Sequence, residues 1–102
     1  MQMDVKRLNE LTEFSLELYE TCTRKMMDYI GKKYLPIMGD TTQNQLEDYV
    51  FMAEETSAYI LGNAFALLGP DAQEKAIESF VNELRRMINV SQKKLDKKPP
   101  VS

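Results

Sequence analysis

The side chains best placed for chemistry in this sequence are carboxylates. Glu10, Glu13, Glu17 and Glu20 follow one another at steps of three, four and three, so they line one stripe of a helix. Glu54 and Glu55 sit midway along a second helical segment. Carboxylates converging from two helices can hold Mg²⁺ and, through it, polarise a phosphate ester. In that reading Glu13, Glu17 and Glu20 act with Glu54 or Glu55 as ligands of a nucleotide or phosphoester hydrolase. The competing reading is a solvated helix face, and Lys6, Arg7 and Arg24 flanking the stripe favour it.

What is missing narrows the chemistry further. The 102 residues include no histidine and one cysteine, Cys22. Without histidine there is no side chain that titrates near neutrality unaided, and no Ser-His or Cys-His nucleophile. A histidine-liganded zinc or Glu-x-x-His di-iron site is excluded as well. Neither a glycine-rich phosphate loop nor zinc-type cysteine spacing occurs. One cysteine cannot form an internal disulfide, which rules out a disulfide-stapled scaffold. Cys22 reads as a small buried apolar residue. The expectation is a protein that is not an enzyme and carries no cofactor and no metal.

The elements that position these residues are helices. Four glycines and four prolines fall mainly at three junctions: Gly31, Pro36 and Gly39; Gly69-Pro70; and Pro99-Pro100. Between them apolar residues recur at three- and four-residue steps, and β-branched residues are scattered. The first helix is expected from about Asp4 to Tyr34, with Gly31 able to kink or end it early. Its apolar arc is wide, with Leu8, Leu11, Ser15, Leu18, Cys22, Met26 and Tyr29 on one face. Leu16, Tyr19, Thr23, Met27, Ile30 and Tyr34 form a second face, with Phe14 between the two. Such a helix touches more than one neighbour.

After a connection with Ile37 and Met38 tucked inward, Thr41 or Thr42 offers a cap oxygen for the second helix. That helix reaches about Leu68, with Leu46, Tyr49, Val50, Ala53, Ser57, Ile60, Ala64, Leu67 and Leu68 facing inward. Gly69 is placed at its C′ position, and Asp71-Ala72-Gln73-Glu74 as a capping box opens the third. Ile77, Phe80, Val81, Leu84, Met87, Ile88, Ser91 and Leu95 form the third apolar face. The tyrosines are expected at core rims with their hydroxyls in water, and most methionines inside. The fold class is therefore all-α, an antiparallel bundle of three long helices, or four if the first breaks near Gly31. One domain spans 1–96, and 97–102 reads as a disordered tail.

Two further patterns bear on partners. Ala58, Gly62 and Ala66 are four apart, a small-residue stripe suited to close helix approach. Packing inside one chain is the favoured account, and a seam between two chains the alternative. Charge is segregated: residues 40–83 carry nine acidic side chains against Lys75, whereas 84–102 carry six basic ones against Asp96. Arg85, Arg86, Lys93 and Lys94 could meet a nucleic-acid backbone. The acidic pI of about 5.0 and the lack of interleaved aromatics argue against it. The N-terminus lacks the apolar run of a signal peptide, no segment is long enough to span a bilayer, and a reducing cytoplasm is the expected location. The reading is a small non-catalytic helical protein working through protein–protein contact, as regulator, adaptor, inhibitor or assembly subunit, and self-associating as a homodimer. Carboxylate–Mg²⁺ hydrolysis and phosphate-backbone binding stand behind it as alternatives.

Overall fold

A computed structural model describes residues 3–97. The protein is all-α: α1 runs Val5–Tyr34, α2 Thr42–Phe65 and α3 Pro70–Asp96, with no strand among the described residues. α1 opens where the Asp4 carboxylate accepts the backbone N–H of Arg7 at 2.7 Å, satisfying one of the donors a helix start leaves free. It continues through Gly31 without a break, which leaves three helices and not four. Thirty residues give it a length of about 45 Å. Lys32 and Lys33 in the last turn complement the negative end of the helix dipole.

The chain divides into two compact units, Met1–Ser57 and Ala58–Ser102. In the first, the C-terminal half of α1 packs on the N-terminal half of α2. Cys22, Met26, Ile30 and Tyr34, four apart, supply the α1 side of this contact; Thr41, Gln45, Asp48, Tyr49, Met52 and Ala53 supply the α2 side. Only Ile30, at 4% exposure, and Tyr34, at 8%, are buried among the described residues. The α1 stripe takes its first two members from one expected face and its last two from the other. Successive four-residue steps advance about 40° around the helix, so a straight contact migrates between faces.

Three expectations change here. Ile37 and Met38 are exposed, Met38 at 96%. The connection turns outward at Gly39, whose φ of 104° suits glycine, and then closes with Asp40 accepting the N–H of Thr42 at 3.0 Å. Asp40, not a threonine, therefore supplies the side-chain oxygen, while Thr41 accepts from the Gln45 side chain at 2.8 Å. The inward face of α2 is also rotated. Leu46, Val50 and Ile60 are exposed, and the contact uses Gln45, Asp48 and Met52 beside Tyr49 and Ala53. Apolar residues ring this helix, so periodicity alone does not select a side.

In the second unit, α2 ends at Phe65, and Leu67 and Leu68 close tighter turns onto the carbonyls of Ala64 and Phe65. Gly69 is the N-cap of α3 with extended backbone and Pro70 stands at the first helical position, so Asp71 lies in the first turn and does not cap. Gln73 ties the junction instead: its side-chain amide donates to the Leu68 carbonyl at 2.8 Å, and its N–H to that of Gly69 at 2.9 Å. Leu61, Phe65, Gln73, Ala76, Val81 and Val90 are half-buried, whereas Ile77, Leu84, Met87, Ile88 and Leu95 remain exposed. Lys97 caps α3, and the rest of the expected tail, 98–102, lies outside the described residues.

Ile30→Ala removes the most buried side chain of the first unit and should cost on the order of 2–4 kcal/mol in urea unfolding. Gly31→Ala should raise stability by up to about 1 kcal/mol, because a Cβ there meets nothing within 4 Å and the helix gains propensity. A loss of stability in Gly31→Ala would contradict the uninterrupted α1.

Candidate functional site

Among the described residues, a polar cluster joins two helices at the end of α1. A single oxygen of Asp48, Oδ2, accepts both Lys33 Nζ and the Tyr34 hydroxyl, each at 2.6 Å. The ammonium also lies 5.1 Å from the centroid of the Tyr34 ring and 6.0 Å from that of Tyr29. The hydrogen bond from Lys33, then that from Tyr34, holds the Asp48 carboxyl below the usual carboxylate range. The bond to Asp48 raises both Lys33 and Tyr34. Tyr34 thus departs from the expectation for tyrosines: its hydroxyl meets a carboxylate, not water. The cluster is a clasp between α1 and α2, with every member committed to another.

None of the residues singled out for interaction joins it. Ala58 and Gly62 are exposed on α2, and Ala66 is exposed just past its end. A Cβ built on Gly62 meets nothing within 4 Å. The half-buried face of the segment runs through Leu61 and Phe65. Arg85, Lys93 and Lys94 are exposed on α3, and Arg86 forks onto the Glu83 carboxylate, with Nε at 3.1 and 3.2 Å from its two oxygens. Arg86 and Lys93, seven residues apart, share one side of α3. Glu83 is held below, and Arg86 above, its ordinary range by this bond.

Glu10, Glu13, Glu17 and Glu20 are exposed along α1, and Glu54 and Glu55 are exposed on α2. Among the described residues no three acidic or cysteine side chains come together as a metal ion would require. Cys22 is half-buried on the α1–α2 contact. No described helix is long and apolar enough to cross a membrane.

The broadest feature is apolar. From Val5 to Thr21 no residue of α1 is even half-buried, although Leu8, Leu11, Phe14, Leu16, Leu18 and Tyr19 all lie there. Leu8, Leu11, Ser15 and Leu18 continue, toward the N-terminus, the face that α2 covers from Cys22 onward. The glutamate stripe lies about 180° away from that face. Methionines follow the same division: Met26 and Met52 are half-buried, whereas Met27, Met38 and Met87 are exposed. Comparison with known protein families, curated proteins and solved structures gives no match.

The clasp makes stability depend on pH in a defined direction. Asp48 is lowered on folding, so its contribution is present above about pH 4, its ordinary value, and is lost as pH falls through the lowered value. Asp48→Asn should therefore flatten the acid limb of the stability profile, measured as urea midpoint against pH. An unchanged acid limb would contradict the clasp. Lys33 and Tyr34 are raised, so their contribution fades at alkaline pH, as pH rises through the raised values.

Proposed function

We propose that this protein works without catalysis, through protein–protein contacts, as a small self-associating regulator, adaptor, inhibitor or assembly subunit. The observation that carries the reading is the N-terminal half of α1, apolar along one face and uncovered from Val5 to Thr21. Leu8, Leu11, Phe14 and Leu18 are each about half exposed. Covering the remainder yields about 1 kcal/mol per side chain, half the value of burying such a residue from water. The exposed face of α3, from Ile77 to Leu95, adds to this. Exposed apolar faces of this kind support the interaction reading.

The absence of histidine and the dispersed carboxylates support the non-catalytic half of the reading. A reducing compartment such as the cytoplasm suits the lone thiol of Cys22. Sedimentation equilibrium at micromolar concentration tests the proposal. The expected species is a dimer, converted to monomer by the double substitution Leu11→Lys and Leu18→Lys with helical circular dichroism retained. A wild-type chain that sediments as a monomer throughout would remove self-association.

A further inference from the structure

The side of α2 turned away from α1 carries Gln43, Leu46, Glu47, Val50, Phe51 and Glu54, which line one open trough of about 420 Å³. The α1 contact, through Gln45, Asp48, Met52 and Ala53, lies about 180° around the helix from this stripe. Leu46, Val50 and Phe51 are 57%, 45% and 63% exposed, so the apolar floor of the trough is open to water. Charge and apolar surface share one face here, whereas on α1 they lie on opposite sides. Residues 40–74 include no lysine or arginine, and Lys33 is committed to Asp48 on the other side of α2. Glu47 accepts a hydrogen bond from the Gln43 amide at 3.1 Å. Among the described residues neither Glu47 nor Glu54 enters an ion pair.

We propose that this stripe docks a cationic amphipathic helix of a partner protein. Apolar residues of that helix rest on Leu46, Val50 and Phe51, and its lysines or arginines meet Glu47 and Glu54. Two features of the stripe select this chemistry. Glu47 and Glu54 are seven residues apart, so they stand roughly 10 Å from each other along nearly one line. One metal ion cannot reach both, whereas basic residues two turns apart on a second helix can. Negative charge set among the apolar residues also repels a nucleic-acid backbone or an anionic lipid surface and attracts a cationic peptide. Two copies of the stripe, laid in register, would set carboxylate against carboxylate in either direction. The α3 of a second copy does not fit, because Arg86 and Lys93 lie opposite Ile77, Leu84 and Leu95. The inference does not rest on self-association, which uses another face.

Titration of the full-length, ¹⁵N-labelled chain with a leucine–lysine amphipathic helical peptide, and with its leucine–glutamate counterpart, tests the surface. The lysine peptide should shift amide resonances centred on residues 43–54, and the glutamate peptide should shift none. Glu47→Gln with Glu54→Gln should weaken binding of the lysine peptide about tenfold, and Phe51→Ala by a similar factor. Glu13→Gln with Glu17→Gln, on α1, should leave it unchanged. All these positions are exposed, so retained helicity verifies that each variant folds. Four results would overturn the inference: no binding, shifts centred on another face, equal binding of the glutamate peptide, or an equal loss in the Glu13 and Glu17 variant. None of them bears on the sedimentation test, so this inference and self-association can fail separately.

Discussion

Helix α1 presents one continuous apolar face, and α2 covers only half of it. Everything else about this protein follows from that mismatch. Where the cover exists, from Cys22 to Tyr34, burial is deep enough to bury Ile30 and Tyr34 and to bind Asp48 to two donors. Where it is missing, the hydroxyls of Thr12, Ser15 and Thr21 satisfy themselves on the helix backbone, and between Leu8 and Thr21 the charged side chains are one strip of glutamates. An isolated helix of that length is marginal in water, because helical stability in proteins comes mostly from the packing of an amphipathic face. The sequence spends its apolar residues as though a neighbour were present.

The same mismatch separates the functional readings. A carboxylate-dependent hydrolase needs Glu13, Glu17 and Glu20 to meet Glu54 or Glu55, but the glutamate strip lies opposite the face that continues into the α1–α2 contact. Charge on that strip keeps one side of the helix wet, opposite the apolar face. The clasp of Lys33, Tyr34 and Asp48 is likewise consumed by structure: its single oxygen takes both donors, and no member is left with a free role.

Much of the fold was legible in the sequence, and the parts that were not have physical reasons. The bounds of α1 followed from Asp4 and from the glycine–proline junction after Tyr34, and α3 was bounded by Gly69-Pro70 and the lysine-rich end. The buried side of α2 was not legible, because Leu46 and Val50 are as apolar as Tyr49 and Met52 and only the neighbour decides between them. Met38 was misplaced because an apolar residue in a short connection has no periodicity to orient it. No motif in the sequence marks Asp48 as the partner of Lys33 and Tyr34. Lys33 and Tyr34 close α1, whereas Asp48 is the seventh residue of α2, so distance from the connection does not pair them. The wide apolar arc of α1 is visible in the sequence, whereas its exposure from Val5 to Thr21 required the structure.

Amide hydrogen exchange across α1, followed as a function of protein concentration, addresses the account most directly. Residues 8–21 should exchange rapidly in dilute protein and gain protection as concentration rises, while Met26 to Tyr34 stay protected throughout. Protection of residues 8–21 that is complete at the lowest concentration, or absent at the highest, would contradict a cover supplied by a second copy.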